Sequence, residues 1–434
     1  MLSHHELEKF DYNSLFYTPR TLSTLFFTLL VLNLFAYTIV PINEASKQDS
    51  QGFTFASKIG IGASVVAFLA FASTQFPDTL VKRPHPIFWR LIMGLLALYT
   101  LFMTFVLFQP LDDARRIFKF FDNALGEKLP EKSYADDCRI FTPENPYSSF
   151  QNVYEAAVDV HFFAHLFGWW FKMMIIRDVK MCWLLSIVFE LLEITFRHWL
   201  PNFWECWWDH LLLDVFGCNM LGIILGAWSC NYLYMRRMNW IYDKPHGSHP
   251  APCANKLITF VNKFRPNVWT RYDWSVFSSL TRYNQFLFYC FICLGIDCMN
   301  FFNKFILWIP ANHKLLSVRL FIWAFTCIAA SKEYFEFIQN AHCKRVGPFV
   351  WLSCLCLGVE LSISFKFGYQ MFTTPFPWYV QVMWATIWTF MFAGAVYAYS
   401  NGCKQQESKE KDIDMLDPAI DVEPIYENEN KKNK

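Results

Sequence analysis

The feature that most constrains the fold is a series of long apolar blocks without charged side chains. Residues 21–40 contain no Asp, Glu, Lys, Arg or His, and the same is true of residues 59–76. A helix rises about 1.5 Å per residue, so about 20 such residues cross a hydrocarbon layer of ~30 Å. Only 17% of the 434 residues are charged, which argues against a soluble multidomain protein. The sequence predicts an all-α polytopic membrane protein.

Length and hydropathy predict about ten transmembrane helices within a membrane domain of residues 21–400. Their approximate ranges are 21–40, 57–76, 87–108, 156–177, 180–200, 209–233, 284–308, 315–338, 348–368 and 376–400. Pro201 interrupts the helical pattern, so we predict a re-entrant or loop segment near residues 201–209. Residues 1–20 are predicted to be a cytosolic segment, and residues 401–434 a disordered cytosolic tail rich in Lys, Glu, Asp and Asn.

The distribution of basic residues predicts the orientation. With the N-terminus in the cytosol, the inward loops carry most of the Lys and Arg residues. The outward loop 109–155 contains many acidic residues that offset its basic ones. The chain ends in Lys431-Lys432-Asn433-Lys434, which resembles a dilysine retrieval signal of the endoplasmic reticulum. We therefore predict a multi-pass protein of that membrane, with a chance basic end as the alternative for the tail.

Composition excludes other classes. The 38 basic and 37 acidic residues nearly cancel, so no overall charge favours nucleic acid. Fourteen cysteines are scattered, many of them inside apolar segments, which argues against a disulfide framework or a zinc ribbon.

Ionisable and polar residues are concentrated between residues 160 and 219, in or beside predicted spans. They are His165, Glu190, Glu193, Arg197, His198, Asn202, Glu205, Asp209, His210 and Asp214. An acidic residue at the centre of a membrane helix costs roughly 2.5–3.5 kcal/mol, so several cost on the order of 10 kcal/mol. Protonation or a bound cation would offset this cost. Depths counted along the helices place several of these residues in the outward half of the bilayer, and we predict a functional site there.

Carboxylates and an amide are the oxygen ligands of hard cations, and calcium tolerates an irregular cage of this kind. Zinc is an alternative through His161, His165 and Cys206. A buried salt-bridge network, with Glu193 paired to Arg197 and Asp209 to a histidine, is another. Next to carboxylates, His165 is suited to remove a proton from a hydroxyl group, although a helix–helix hydrogen bond would also explain an imidazole there.

At these residues the sequence resembles the eukaryotic phosphatidylserine synthases, the base-exchange enzymes of the endoplasmic reticulum. The likeness covers roughly residues 75–400. Its motifs are His165-Leu166-Phe167-Gly168-Trp169, Phe189-Glu190-Leu191-Leu192-Glu193, Leu200-Pro201-Asn202-Phe203, Glu205-Cys206-Trp207-Trp208-Asp209, Leu213-Asp214, Arg83-Pro84-His85-Pro86 with Trp89-Arg90, and Cys343-Lys344-Arg345-Val346-Gly347.

The resemblance implies a calcium-dependent transferase that replaces the head-group alcohol of a phospholipid with L-serine. It implies His165 as the general base, and a set of metal-binding and catalytic side chains: Glu190, Glu193, Asn202, Glu205, Asp209 and Asp214. Asn219 matches another polar position of the pattern and is expected to bind substrate. Lys344-Arg345 is similar to one vertebrate branch and Trp208-Asp209-His210 to the other, so the donor, phosphatidylcholine or phosphatidylethanolamine, stays open. A homodimer is compatible with the sequence.

Two further sets of residues are predicted to meet lipid. Trp169 and Trp208 lie near the acidic cluster and can hold a quaternary ammonium group through their ring faces, with an interfacial aromatic belt as the alternative. Four basic residues on the inward side are predicted to bind an anionic head group as a feedback site: Arg83, Arg90, Lys344 and Arg345. Positive-inside anchoring is the alternative for these four. The alternative for the whole protein is an intramembrane cation transporter or channel, although no internal repeat is found.

Overall fold

A computed structural model of the chain describes residues 19–39, 55–81, 84–129, 137–158, 160–232, 236–237, 270–271, 274–340 and 342–416. Some side chains within these ranges, including those of His161 and Asn202, are not described. The regular secondary structure of the described residues is helical apart from one short parallel pairing of Arg236–Arg237 with Thr270–Arg271. Helices occupy all ten predicted positions, so the prediction of an all-α polytopic membrane protein is confirmed.

Most of the helices at the predicted positions differ in bounds from the predicted spans by a few residues, and the last one extends further. In chain order they are α1 Pro19–Ile39, α2 Phe55–Gln75, α3 Pro86–Leu107, α4 Leu111–Ile117, α5 Gln151–Ala157, α6 Val160–Ile176, α7 Val179–Phe196, α8 Met220–Tyr232, α9 Leu280–Ile306, α10 Lys314–Gln339, α11 Pro348–Phe367, α12 Tyr369–Phe372 and α13 Trp378–Leu416. Among the described residues, seven helical segments are long and apolar enough to cross a membrane. Three charged residues, Lys180, Glu190 and Glu193, exclude α7 from that group.

The chain divides into two compact units. The first comprises Met1–Asp273 and Cys290–Val380, and the second Trp274–Tyr289 and Gln381–Lys434. Within the second unit, the hydroxyl of Tyr283 donates to the carbonyl of Met391 at 2.8 Å. The ring of Phe277 stacks on Tyr283 and meets the edge of Tyr397. The site discussed below belongs to the first unit.

Helix α13 continues to Leu416, so the boundary predicted for the tail at residue 401 is too early. Lys, Gln and Glu, which fill residues 404–411 apart from Ser408, are good helix formers in spite of their polarity. The predicted disorder of residues 417–434, the dilysine end and the N-terminal segment 1–18 lie outside the described residues.

Two glycines allow α8 to approach α6 closely. A Cβ at Gly222 would lie 2.5 Å from the carbonyl oxygen of Leu166, and one at Gly226 would lie 2.6 Å from Cβ of Met173. Only glycine fits at such distances, and the spacing Gly-x-x-x-Gly is the arrangement that brings membrane helices into contact. This packing brings the face of α6 that carries His165 next to the helix that begins at Asp209.

Residues Asp209–Asn219, just before α8, form a π-helix. Because a π-helix bonds residue i to residue i+5, side chains five residues apart lie above one another. Asp209, Asp214 and Asn219 have this spacing. In an α-helix, residues five apart would be turned about 140° from each other, so one of each pair would face away. The wider winding therefore places three polar side chains on one face.

Residues at the starts of α3 and α11 have a local structural role. The imidazole of His85 accepts a hydrogen bond from the backbone N–H of Ile87, and Pro86 is the first residue of α3, so these residues cap the helix. A carboxylate oxygen of Glu333 accepts from the backbone N–H of Phe349, 2.9 Å away, at the start of α11. Between these ends, Leu96, Phe302, Trp323 and Leu357 belong to a shared apolar core.

Candidate active site

His210, in the π-helix, is surrounded by carboxylates from two directions. Its Nδ1 lies 3.1 Å from Oε2 of Glu190, 3.4 Å from Oε2 of Glu193 and 3.7 Å from Oε2 of Glu205. Glu190 and Glu193 come from successive turns of α7, whereas Glu205 comes from the segment that joins α7 to the π-helix. Glu190, Glu193 and His210 are each less than a tenth exposed. Three carboxylates therefore meet around one imidazole.

Asn219 connects this cluster to His165. Its Nδ2 donates to Oε1 of Glu190 at 3.1 Å and to the hydroxyl oxygen of Ser186 at 3.0 Å. The orientation of the amide is thereby fixed, and Oδ1 of Asn219 faces Nδ1 of His165 at 3.3 Å. Because an amide oxygen only accepts, His165 carries its proton on Nδ1 in this arrangement and the lone pair on Nε2. The hydrogen bonds thus select the tautomer that a general base at Nε2 requires.

Asp214 is the carboxylate nearest to His165. Its Oδ1 lies 3.8 Å from Nδ1 of His165, and the thiol of Cys218 donates to the same oxygen at 3.3 Å. Ligand atoms of Glu190, His210 and Asp214 lie within 4.8 Å of one another, as do those of Glu193, Glu205 and His210. The predicted convergence of α6, α7 and the helix from Asp209 is therefore present in the structure.

The donor set fits a hard divalent cation. Four carboxyl groups, those of Glu190, Glu193, Glu205 and Asp214, share this space with His210, and one imidazole offsets at most one of their charges. Within this cluster, two buried atoms also lack a hydrogen-bond partner among the described residues, namely Oε2 of Glu193 and Nε2 of His210. Oxygen-rich sites with several carboxylates are typical of calcium.

Glu205 lies in the connecting segment, outside the membrane-spanning helices. Burial raises the pKa of its carboxyl group above the usual value, and the neighbouring carboxylate of Asp214 raises it further, whereas His210 acts in the opposite direction. A cation among these side chains would favour the ionised form of the group.

A disulfide between Cys138 and Cys206 ties the loop between α4 and α5 to the site. The indole Nε1 of Trp208 donates to the carbonyl of Cys138 at 3.0 Å, so the same loop is also held beside the π-helix. Next to it, hydrogen bonds from Arg139 hold the pKa of the Asp137 carboxyl well below its usual range. The disulfide was not predicted, and it removes the zinc alternative because a disulfide sulfur cannot serve as a thiolate ligand.

The salt-bridge alternative is wrong for Glu193 and Arg197. The guanidinium of Arg197 bonds to the hydroxyl of Tyr379. The carboxylate that Arg197 would have neutralised instead faces His210, 3.4 Å away. His210 is the residue that reasoning from the sequence underestimated: it was noted in the acidic segment but given no role. His210 precedes Asp214 by four residues, and this spacing could have predicted that the two side chains lie on the same face of a helix.

The remaining predicted site residues occupy different positions. Asp209 is half-buried at the start of the π-helix, and the side chain of Asn202 lies outside the described residues. The three predicted substrate-binding residues, Trp169, Trp208 and Asn219, are at most 3% exposed. Lys172 covers the ring of Trp169 at 4.1 Å. Direct contact of these three with substrate stays a prediction, and the structure gives them supporting roles.

The four predicted lipid-binding residues are not gathered into one described cluster. Arg90 donates to Oδ1 of Asp78 at 2.9 Å and to the carbonyl of Ser73 at the end of α2. Lys344 and Arg345 are exposed in the loop before α11, and Arg83 lies outside the described residues. These contacts give Arg90 a structural role beside the end of α2, and both a feedback site and positive-inside anchoring stay predictions.

Comparison with known families gives one match that covers most of the chain. Residues 84–368 match the family described as phosphatidyl serine synthase. The matched range begins just before α3 and ends just after α11, so it contains the whole acidic cluster and His165.

Similar proteins come from plants and vertebrates. The Arabidopsis thaliana protein named CDP-diacylglycerol–serine O-phosphatidyltransferase 1 is 38% identical, over 86% of each chain. Human phosphatidylserine synthase 2 is 33% identical over 89% of this chain and 79% of its own. Zebrafish (Danio rerio) phosphatidylserine synthase 1 is 31% identical over 94% of this chain and 84% of its own.

Proposed function

Because the chain belongs to the phosphatidylserine synthase family and is an enzyme that makes phosphatidylserine, we propose that it does so by base exchange. In this reaction L-serine replaces the choline or ethanolamine of a phospholipid, with His165 as the general base beside a calcium site. The observation that carries the proposal is the convergence of His165 with the buried carboxylates of Glu190, Glu193 and Asp214.

The bonds to His165 favour its role as a base. Asn219 holds Nδ1 of His165, so Nε2 can accept the proton of the serine hydroxyl. The serine oxygen then forms a bond to phosphorus, while the bond from phosphorus to the departing alcohol breaks. The proton on Nε2 passes to that alcohol, and one phosphodiester has been exchanged for another without an energy-rich nucleotide.

The carboxylates provide the electrostatic part of the proposal. Glu190, Glu193, Glu205 and Asp214 would hold calcium, with Asp209 and Asn202 as further predicted ligands. When bound, calcium would offset the negative charge that develops on the phosphate oxygens. Asn219 restrains Glu190 through one hydrogen bond and His165 through another. The distance between the general base and the cation site is thereby fixed.

The names of the relatives leave two possible phosphatidyl donors for this chain. The plant name specifies CDP-diacylglycerol, whereas the vertebrate names specify no donor. The sequence lacks the Asp-Gly-x-x-Ala-Arg pattern typical of nucleotide-dependent alcohol phosphotransferases. This absence favours base exchange. The family match also sets aside the alternative of a cation transporter, because the matched family consists of enzymes.

The donor can be tested with the purified full-length chain in vesicles. With phosphatidylcholine or phosphatidylethanolamine as the only donor, we expect labelled serine to enter lipid without any added nucleotide. Each serine incorporated should release one choline or ethanolamine, and a calcium chelator should stop both processes. Vesicles that contain CDP-diacylglycerol in place of these donors should give no incorporation. Incorporation that requires CDP-diacylglycerol and releases CMP would contradict base exchange.

We also propose that the protein lies in the membrane of the endoplasmic reticulum with the site toward the lumen and both termini in the cytosol. The disulfide between Cys138 and Cys206 supports this orientation, because disulfides persist in oxidising compartments such as the lumen. Both cysteines lie in segments that the charge distribution places outside the cytosol. Cys138 is in the loop between α4 and α5, and Cys206 is in the segment between α7 and the π-helix.

A glycosylation acceptor tests this orientation. The sequence contains no Asn-x-Ser/Thr, and Tyr147→Asn creates one at a side chain that is 88% exposed in the outward loop. We expect this variant to carry a glycan that an endoglycosidase removes. Cys403→Ser completes an acceptor at Asn401, on the side assigned to the cytosol, and should stay unmodified. Glycosylation at Asn401 without glycosylation at residue 147 would reverse the orientation.

A further inference from the structure

Arg197 lies at the end of α7, the helix that carries Glu190 and Glu193 of the acidic cluster. It follows Glu193 by four residues at the end of α7, so the two side chains lie on the same face of the helix. Nε and Nη2 of Arg197 both donate to the hydroxyl of Tyr379, at 3.2 and 2.9 Å. The rings of Trp204 and Tyr379 lie 5.1 Å from the guanidinium carbon. A hydroxyl group and two aromatic rings thus fix the position of the guanidinium.

The charge of Arg197 is not neutralised by the described part of the chain. Two other cations within the helices each pair with a carboxylate: Lys172 with Asp297 at 2.6 Å, and Arg319 with Glu360 at 2.7 Å. No described carboxylate lies within ion-pair distance of Arg197, whose hydrogen-bond partner Tyr379 is uncharged. A fixed cation therefore stands one helical turn from a group of acids without being used to neutralise them.

This arrangement matches the charges of serine. Near neutral pH serine has an ammonium group, which the acidic cluster attracts, and a carboxylate, which the same cluster repels. A site that accepts serine among carboxylates needs a cation for the second group. The planar guanidinium is suited to this task, since its N–H donors match a carboxylate in pairs.

We propose that Arg197 binds the carboxylate of the incoming serine and that Tyr379 positions it for this purpose. The inference rests on the proposed function only in taking serine as the acceptor, and it holds for either phosphatidyl donor. Ethanolamine is serine without the carboxylate. Arg197 therefore favours serine over ethanolamine as the acceptor, because ethanolamine would leave the guanidinium without its partner.

The test uses the full-length protein in vesicles with labelled serine or labelled ethanolamine as the acceptor. For Arg197→Gln we expect the KM for serine to rise about tenfold or more, the effect of losing roughly 1.4 kcal/mol of binding. The KM for the donor lipid and the rate with ethanolamine should stay unchanged. Arg197→Lys should recover part of the serine affinity, and Tyr379→Phe should raise the KM for serine less while leaving kcat intact. Arg116→Gln, at an exposed cation in the outward loop, is the matched control.

Direct binding of labelled serine, measured by equilibrium dialysis, separates this inference from the base-exchange proposal. Weaker serine binding by Arg197→Gln supports the inference even if the protein uses a donor other than phosphatidylcholine or phosphatidylethanolamine. Three results would overturn it: an unchanged affinity for serine, an equal loss with serine and ethanolamine, or a raised KM for the donor lipid alone. The last result would assign Arg197 to the phosphate of the lipid.

Discussion

His165→Ala should reduce serine incorporation by about 100-fold or more, because a positioned general base contributes on the order of 10²–10⁴ to such a step. The remaining site should stay intact, since Asn219 keeps its bonds to Ser186 and Glu190 when the imidazole is removed. Calcium should therefore stabilise this variant against heat as much as it stabilises the wild-type protein. Initial rates in vesicles and thermal unfolding in detergent, with and without calcium, measure the two effects.

The control for this variant is His342→Ala, which removes an exposed imidazole from the loop before α11. It should leave both the rate and the effect of calcium unchanged. A rate for His165→Ala close to that of the wild type would remove the role assigned to the base. Loss of the calcium effect in the same variant would instead make His165 part of the cation site.

Glu193→Gln should have a different signature. The substitution keeps the shape of the side chain but removes one carboxyl group from a buried group of four, so crowding of like charges decreases. Affinity for calcium should fall about tenfold or more, since the number of charged ligands sets the affinity of such sites. Without calcium, the unfolding temperature should equal or exceed that of the wild type. The stabilisation that calcium gives the wild type, about 2.7 kcal/mol at 100 times Kd, should be largely lost.

Glu360→Gln is the matched control because Glu360 is also fully buried within a membrane helix. Its carboxylate pairs with Arg319 and accepts a hydrogen bond from the hydroxyl of Tyr99. Neutralising Glu360 leaves Arg319 as an uncompensated buried charge, so this variant should unfold at a lower temperature with or without calcium. The shift caused by calcium should persist. If Glu193→Gln instead behaved like Glu360→Gln, the acidic cluster would be a structural ion-pair network.

Hydropathy was sufficient to predict the helices because a helix that crosses lipid must be long and apolar. The meeting of His165 with Glu190 and Asp214 could also be predicted, since depth in the membrane follows from counting residues along each helix. The free-energy cost of placing several acidic side chains in membrane helices also predicted a functional site. These predictions rest on properties that a single segment carries by itself.

Features that depend on several segments together were not predicted. The π-helix of Asp209–Asn219 brings Asn219 onto the face of Asp214, yet winding of this kind is set by tertiary packing and leaves no periodic signal. The disulfide joins Cys138 to Cys206 across 68 residues, and connectivity among fourteen cysteines cannot be deduced from spacing. The Gly222-x-x-x-Gly226 spacing was readable in the sequence and would have predicted the close packing of α8 on α6.

The presence of a cation among Glu190, Glu193, Glu205 and Asp214 is tested most directly by equilibrium binding of radioactive calcium to the purified full-length chain. We expect saturable, stoichiometric binding to the wild-type protein and to His165→Ala, and markedly weaker binding to Glu193→Gln. Binding that is absent from the wild type, or that Glu193→Gln leaves unchanged, would show that these acids are not held together by calcium.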